Sequence, residues 1–433
     1  MLNVNIYSWN TLSNDDKKKI MDRAEEDISS VLEAVSDIIE NVRKKGDSAV
    51  AEYNARFDRT PPGMSLPVSE EEFREAEKSL TEDLKEAIRI SADNVRTFHL
   101  HQKGETSSWM EVSPGVFAGE KAVPVESAGL YVPRGRGSFP SMLYMLAVPA
   151  KIAGVPRIVL ATPPDSSGKA DAACLYTARY CGVDEVYKMG GAHAVAALSL
   201  GTETIRPVLK LAGPGSKYVA AAKKLLHGQV DTGMPAGPSE SVILADSSAN
   251  YWKAAKDLMI EAEHGSDSSA LLITDSCELA EKCREEVVKM WPSIPEPRKT
   301  FIKDVFAGYG GIILVKDIYE GASLVNQLAP EHLQLAVKDP FETQSLIRNA
   351  GEILLGQNTP FSVANYTAGA NAVLPTGGKA KTYSAVSVRD FIKYSSLVYV
   401  TENGLNAVSG TVRRLAEYEE FPMHAEALRN RNV

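Results

Sequence analysis

The chain has 433 residues, enough for two or more domains that each bury a core. Its 44% hydrophobic and 24% charged residues are typical of a soluble globular protein. The net charge of −9, with basic residues scattered along the chain, argues against nucleic acid as the main partner. No apolar run is long enough to cross a bilayer, and the first residues lack the basic start and apolar centre of a signal peptide. We therefore predict a cytoplasmic protein without a membrane partner.

The first hundred or so residues are predicted to be mainly helical. Two charged, amphipathic runs, Asp15 to Lys45 and Ser69 to His99, flank an interruption at Thr60-Pro61-Pro62-Gly63. We assign residues 1–122 to a helical N-terminal segment that packs on the second of two α/β units.

From about Val123 onward, short apolar strands alternate with helices. Strands are predicted at 129–132, 157–161, 185–189 and 208–211, with helices at 141–153, 170–181, 192–200 and 217–226. A second alternation has strands at 241–245, 270–274 and 311–315, with helices at 251–263 and 277–290. This pattern is typical of parallel sheets with crossover helices. We predict an α/β fold with two Rossmann-like doubly wound units in tandem, residues 123–237 on the nucleotide side and 238–390 with the metal and catalytic residues.

The C-terminal residues 391–433 are predicted to form a small separate region. A strand is expected at 396–401 and a helix near 411–418, followed by a polar tail. We expect this region to be exchanged with, or to reach, the partner subunit of a dimer.

One candidate site lies in the run Glu261-Ala262-Glu263-His264, at the end of the helix predicted for 251–263. Residues three apart on a helix share a face, so Glu261 and His264 can reach one small target. A carboxylate and an imidazole offered together suit a divalent metal, zinc above all. The alternative is a solvated pair on a surface helix.

A second candidate is the dipeptide Glu331-His332, which follows Pro330. Carboxylates and imidazoles are the side chains most used for proton transfer near neutral pH. A metal that acidifies an alcohol, together with a nearby base that takes its proton, indicates an alcohol-oxidising site. Such dipeptides are also common without any function.

Three glycine-rich segments follow predicted strands and lead towards helices. They are Gly135-Arg136-Gly137, Gly190-Gly191 and Gly213-Pro214-Gly215; no GxGxxG fingerprint is present. Ligands of open α/β sheets bind at such strand ends, and helix N-termini favour phosphates. The segments indicate a nucleotide site or, alternatively, simple tight turns.

Six motifs stand in order across nearly the whole chain and together resemble the histidinol dehydrogenase family. They are Gly129-Leu130-Tyr131-Val132-Pro133, Gly213-Pro214-Gly215, Met234-Pro235-Ala236-Gly237-Pro238-Ser239-Glu240, Ala262-Glu263-His264-Gly265, Leu328-Ala329-Pro330-Glu331-His332-Leu333 and Leu374-Pro375-Thr376-Gly377-Gly378. The resemblance implies an NAD-dependent homodimer with one Zn2+ per subunit and shared active sites. It also implies oxidation of an amino alcohol to the acid by two hydride transfers, as from L-histidinol to L-histidine in histidine biosynthesis.

The resemblance assigns roles to individual positions of this sequence. It implies the catalytic acid/base pair Glu331 and His332. It implies metal ligands at Glu261, His264, Asp390 and His424, the last from the partner subunit. It implies substrate contacts at Ser239, Glu261, His264, His332, Asp390, Glu419 and His424, and NAD contacts at Tyr131, His193 and Ser216. Without the resemblance, the sequence favours a helix-start cap at Asp390 and an ordinary surface charge at Glu419.

Several positions depart from the family pattern. The family usually has glutamine at Glu261 and at His193, and asparagine at Ser216. Its Asn-His pair reads Asn371-Ala372 here. Arg134 and Arg136 stand in a loop that is mostly small residues in the family. We therefore also consider a paralogue that oxidises another small polar or anionic alcohol, such as a sulfonated propanediol bound by one of these arginines. A non-catalytic binding protein is a more remote alternative.

Overall fold

A computed structural model describes residues 2–22, 28–134, 137–308 and 310–429. Its strands, in chain order, are β1 (Ile6–Ser8), β2 (Ser107–Ser113), β3 (Val116–Pro124), β4 (Ser127–Tyr131), β5 (Arg157–Thr162), β6 (Glu185–Lys188), β7 (Lys210–Ala212), β8 (Glu240–Ala245), β9 (Ser269–Thr274), β10 (Gly310–Leu314), β11 (His332–Ala336), β12 (Glu352–Leu355) and β13 (Ile392–Val400). Its α-helices are α1 (Asn14–Asp22), α2 (Leu32–Lys45), α3 (Asp47–Tyr53), α4 (Glu70–Ser79), α5 (Glu82–Gln102), α6 (Pro140–Ala153), α7 (Ala172–Tyr180), α8 (Gly191–Leu200), α9 (Lys217–Leu226), α10 (Tyr251–Ile260), α11 (Cys277–Met290), α12 (Arg298–Ala307), α13 (Ile318–Leu328), α14 (Pro340–Thr343), α15 (Phe361–Tyr366), α16 (Glu402–Tyr418) and α17 (Pro422–Glu426).

The first parallel sheet has four strands in the order β6-β5-β4-β7. Its central strands are buried along most of their length, which explains their unbroken apolar sequences. Successive residues enter two different apolar cores: Leu160 of β5 packs in the cluster that contains Leu146 of α6, and Val159 in the cluster that contains Val195 of α8. Helices therefore cover both faces of this sheet.

The second parallel sheet has six strands in the order β1-β10-β9-β8-β11-β12. Strand β11 lies between β8 and β12, and its first residue, His332, is paired with Ser241 on one side and Glu352 on the other. The register of these three strands therefore places His332 at one end of the sheet, beside residues that are distant in sequence.

The N-terminal segment packs only in part as predicted. Its first residues do pack on the second unit, because β1 joins that sheet and Ile20 and Met21 of α1 contact its core. By contrast, α2 packs on α8 and α9, α4 on α7, and α5 on α6. The apolar face of α2, which includes Val35 and Ile39, belongs to the same core as Val195 and Val219 of the first unit. This shared core is the physical reason for the correction. In addition, 107–122 contributes to β2 and β3 rather than to helices, and residues 23–27 of the predicted helical run lie outside the described residues.

A small antiparallel sheet, in the order β13-β3-β2, joins the C-terminal region to the end of the N-terminal segment. The predicted strand at 396–401 is the C-terminal part of β13, and the helix expected near 411–418 begins earlier, as α16. Side chains of this sheet such as Trp109, Met110 and Val398 are largely exposed.

The predicted mixed α/β class with parallel sheets is confirmed. The Rossmann-like topology of each unit, the domain bounds and the exchange of a C-terminal tail in a dimer stay predictions. None of the helices in the described ranges is both long and apolar enough to span a membrane.

Candidate active site

The sequence between α10 and β9 holds Glu261 and His264 on one side of a tight turn. Helix α10 ends at Ile260, and Glu261–Glu263 continue as a 3-10 helix rather than as the predicted α-helix. In a 3-10 helix, residues i and i+3 eclipse each other. The turn therefore aligns the two side chains, and the backbone N–H of His264 donates to the carbonyl of Glu261 at 3.2 Å.

Glu261 is a fully buried carboxylate with one oxygen that lacks a hydrogen bond. Its Oε1 accepts a hydrogen bond from Asn365 Nδ2 at 2.7 Å, whereas its Oε2 has no hydrogen-bond partner and lies 3.5 Å from His264 Nε2. Burial opposes ionisation, but the charges of His264 and His332 and the hydrogen bond from Asn365 outweigh it and lower the pKa of Glu261. Glu261 is therefore ionised, and it lines a cavity of the protein.

His264 is held between this carboxylate and a hydroxyl group. Its Nδ1 lies 3.2 Å from Ser239 Oγ, just before β8, while Nε2 faces Glu261. An imidazole oriented through one nitrogen by a neighbouring group, with its other nitrogen beside an anionic oxygen, is typical of a metal ligand. Glu261 Oε2, which has no hydrogen-bond partner, and the nearby His264 Nε2 together fit a zinc ion.

One chain supplies only part of a zinc ligand set. Within residues 2–22, 28–134, 137–308 and 310–429, no three His, Cys, Asp or Glu side chains cluster closely enough to hold a metal ion. Asn365, which lines the same cavity and contacts Glu261, is the nearby additional oxygen donor that sequence reasoning missed. No motif pointed to Asn365, because its role depends on a contact 104 positions away in the sequence.

Asp390 is not brought to this pair within the chain. Its Oδ2 accepts hydrogen bonds from the backbone N–H of Ser387 at 2.7 Å and from its hydroxyl at 3.0 Å, in a capping box in which Ser387 caps the single turn Val388–Phe391 and Asp390 is its third residue. Within one chain, Asp390 thus has a helix-start contact, and its role as a metal ligand stays a prediction.

Glu419 and His424 lie near the C-terminus, away from the cavity lining. Both residues are exposed; Glu419 follows α16, and His424 lies within α17. The ring centroids of His424 and Phe421 are 5.2 Å apart. The structure of one chain does not place them with Glu261.

The predicted acid/base pair is buried at the start of β11. His332 Nδ1 lies 2.5 Å from Glu352 Oε1, and His332 Nε2 lies 3.8 Å from Glu331 Oε1. Glu331 Oε2 accepts a hydrogen bond from the backbone N–H of Glu240 at 2.8 Å. The edge of the imidazole meets the ring of Phe361, with centroids 5.9 Å apart.

Charge around this pair favours protonation. Burial lowers the pKa of His332, but the carboxylates of Glu331, Glu261 and Glu352 outweigh it and raise the pKa to about 10. Burial, followed by the charges of Glu261 and Glu240, raises the pKa of Glu331 well above its usual range, despite the opposing charge of His332. The negative charges of Glu261 and Glu352 favour the protonated imidazole even without Glu331. We therefore assign the proton that Glu331 and His332 could share to His332.

Both candidate sites open into one cavity of about 500 Å³. Its polar lining includes Ser239, Glu261, His264, Glu331, His332 and Asn365. A cavity of about 860 Å³, lined in part by Gly215, Lys223 and Lys379, shares Ala236 and Gly237 with the first. The cavity that contains Glu331 and His332 is thus next to a second cavity beside the start of α9.

Of the three residues predicted to contact NAD, Tyr131 ends β4, His193 lies in the first turn of α8, and Ser216 directly precedes α9. Tyr131 is buried, and its hydroxyl accepts a hydrogen bond from the backbone N–H of Gly191 at 3.0 Å. His193 is buried; its Nε2 lies 2.9 Å from Asn54 Oδ1, and its Nδ1 has no partner. Ser216 is exposed just before α9. Of these three residues, Ser216 alone is exposed.

The arginines considered for an anionic substrate have different positions. Arg134 Nη1 donates to the carbonyl of Lys169 at 2.8 Å, and Nη2 lies 3.5 Å from Asp165, so a neighbouring loop holds this side chain. Arg136 lies outside the described residues. Among the described arginines, Arg298 lines the cavity, and its Nη1 donates to the carbonyl of Glu263 at 2.8 Å.

The chain is similar to histidinol dehydrogenases in both sequence and structure. A family model described as histidinol dehydrogenase matches residues 21–432. A histidinol dehydrogenase from Synechocystis sp. is 50% identical over 94% of each chain, and a histidinol dehydrogenase homolog from Rhizobium meliloti is 45% identical over 99% of this chain and 94% of its own. The crystal structure of histidinol dehydrogenase from Elizabethkingia anophelis matches with a TM-score of 0.92 and 33% identity, covering 99% of this chain and 97% of that one.

Proposed function

This chain belongs to the histidinol dehydrogenase family of NAD-dependent oxidoreductases, and we propose that it oxidises L-histidinol to L-histidine. The alcohol loses a hydride to NAD and a proton to the protein, which gives the aldehyde. Addition of water and a second hydride transfer then give the acid. The observation that carries the proposal is the shared cavity, in which Glu261 Oε2 and His264 Nε2 lie with the Glu331–His332 pair.

His332 acts as the base for the alcohol in this proposal. Its Nε2 lies on the side of Glu331 and the cavity, whereas its Nδ1 is engaged by Glu352. Glu331, at the edge of the same cavity, takes the proton of the water that adds to the aldehyde. Burial of both groups keeps bulk water away from the reacting centre.

We assign zinc to the other side of the cavity. Glu261 and His264 would hold it, with Asn365 Oδ1 in the role first predicted for Asp390 and with His424 of the partner subunit. Bound zinc would supply positive charge that polarises the alcohol oxygen and offsets the carboxylates that raise the pKa of His332.

A homodimer would complete this site. Exposed apolar side chains flank Glu419 and His424: Tyr418 is 87% exposed, Phe421 52% and Met423 72%. Large apolar groups concentrated on one surface indicate that another chain covers them. We propose that this surface carries Glu419 to the substrate and His424 to the zinc ion of the second subunit.

The NAD contacts at Tyr131, His193 and Ser216 stay part of the proposal. They lie beside the starts of α8 and α9, and helix N-termini favour the phosphates of a dinucleotide. The cytoplasmic location predicted from the sequence likewise stays a prediction.

NADH formation by purified, zinc-replete protein tests the proposed function. L-Histidinol should give two NADH for each molecule consumed, and L-histidine should accumulate. A panel of polyols and sulfonated propanediols provides the comparison. Turnover of another alcohol without turnover of histidinol would reject the substrate, and zinc-replete protein inactive on every alcohol would favour a binding protein.

A further inference from the structure

Glu352 contacts the imidazole of His332 on the side away from Glu331. Strand pairing fixes this arrangement, because His332 on β11 lies directly opposite Glu352 on β12. Directly paired residues of neighbouring strands project from the same face of a sheet. The result is a 2.5 Å contact between Glu352 Oε1 and His332 Nδ1, with the Glu352 side chain only 9% exposed.

The backbone around Glu352 leaves little freedom for this contact to shift. The backbone N–H of Glu352 donates to the carbonyl of Glu331 at 3.0 Å, and that of Gly351 donates to the carbonyl of Pro330 at 2.9 Å. A Cβ atom at Gly351 would stand 2.5 Å from the carbonyl oxygen of Glu331. The glycine thus permits β12 to approach the residues that precede β11.

A carboxylate next to one ring nitrogen decides which nitrogen of a neutral histidine carries hydrogen. An ionised carboxylate only accepts hydrogen bonds, so Nδ1 must be the donor in this contact. The lone pair of the neutral ring then lies on Nε2. Glu331 Oε1, at 3.8 Å from Nε2, is too far to hold that nitrogen in a direct hydrogen bond.

We propose that Glu352 is a positioning residue that keeps the proton of neutral His332 on Nδ1 and so reserves Nε2 for proton exchange with the substrate. The assignment rests on the proposed function, in which His332 is the base. Packing against Phe361 orients the ring as well, but an apolar ring does not select between the two nitrogens. The contribution specific to Glu352 is therefore the choice of tautomer.

Steady-state kinetics of Glu352→Gln provide the first test. The glutamine has nearly the same shape, but its amide can donate to Nδ1 and so stabilise the wrong tautomer. We expect kcat to fall roughly 10- to 1000-fold, with little change in KM, because substrate contacts stay in place. Glu352→Asp, which keeps the carboxylate, should recover part of the loss. The control is Glu286→Gln, which alters another largely shielded glutamate, paired with Lys289 on α11, and should leave kcat unchanged.

A double variant separates action through His332 from a general structural effect. In a His332→Asn background, adding Glu352→Gln should cost almost nothing further, because the group that Glu352 orients is gone. Equal losses in both backgrounds, or a Glu352→Gln enzyme as active as the wild type, would overturn the proposal.

Nitrogen NMR of protein labelled with ring-15N histidine reads the tautomer without using activity. The His332 signals are identified by their loss in His332→Asn. In zinc-replete protein, at a pH where the ring is neutral, the proton should be on Nδ1 in the wild type and should move towards Nε2 in Glu352→Gln. A wild-type proton on Nε2 would refute the role of Glu352, whereas inactivity towards histidinol with the expected tautomer would refute only the proposed function.

Discussion

Removing the amide of Asn365 should destabilise the metal-free protein through the buried charge of Glu261. Glu261 is 0% exposed, its Oε2 has no partner, and Asn365 supplies the hydrogen bond to Oε1 at 2.7 Å. A hydrogen bond to a charged group contributes about 1.5–3 kcal/mol. Replacing asparagine by alanine within α15 returns about 0.5 kcal/mol of helix propensity. The expected loss for Asn365→Ala is therefore about 1–2.5 kcal/mol.

Urea unfolding with a chelator present, followed by tryptophan fluorescence, measures this loss. In a Glu261→Gln background the charge is absent, so Asn365→Ala should cost about 1 kcal/mol less than in the wild type. Asn358→Ala serves as the control, because this exposed side chain accepts a hydrogen bond from Lys253 instead. Equal costs in the two backgrounds, or no cost in the wild type, would show that the carboxylate does not depend on Asn365.

Three further predictions concern catalysis, acid stability and assembly. His332→Asn should lower turnover by about 10²–10⁴-fold while zinc content, measured by elemental analysis, stays at the wild-type level; loss of zinc would mean that His332 is a ligand. Burial lowers the pKa of His193 from 6.5 to about 3, so the neutral ring contributes stability that is lost as the pH falls below 6.5. Between pH 7 and pH 5 the free energy of unfolding should fall by about 2 kcal/mol for this reason. The variant His193→Gln should lack this part of the pH dependence when unfolding is measured in urea titrations. Mixed dimers of His332→Asn and His424→Ala chains should regain up to about a quarter of wild-type activity, because half of the dimers hold one intact site. No recovery after subunit exchange, confirmed with two differently tagged chains, would place His424 in the site of its own chain.

Local sequence patterns predicted the four strands of the first sheet and β8 to β10 of the second, but not β11 and β12. Strands such as β5 and β9 are continuous apolar runs between helices, and both were expected within a residue or two. Strand β1 was missed because three residues are too few to show an alternation of apolar and polar residues. Strand β2 was missed because its exposed, mixed sequence SSWMEVS resembles a loop. Strand β1 is held by β10, far along the chain, which a local pattern does not reveal, whereas β2 forms a hairpin with the adjacent β3.

For the site, spacing identified the residues whose partners are close in sequence. Glu261 and His264 share one turn and were found, although the complete burial of Glu261 could not be read from its neighbours. Asn365 and Glu352 were missed, because each reaches the site through tertiary contacts or strand register. Asp390 received its predicted role from the family resemblance alone, and that role stays a prediction, since within one chain its Oδ2 is bonded to Ser387.

The position of β1 has a consequence for synthesis on the ribosome. The four-stranded sheet uses only residues between Ser127 and Ala212, so it can assemble once that stretch has emerged. By contrast, Ile6 pairs with Ile312, and its sheet must wait for a segment translated much later. The nascent chain therefore holds its first strand unpaired through most of translation. The proton-transfer pair, also carried by this late sheet, is assembled only near the end.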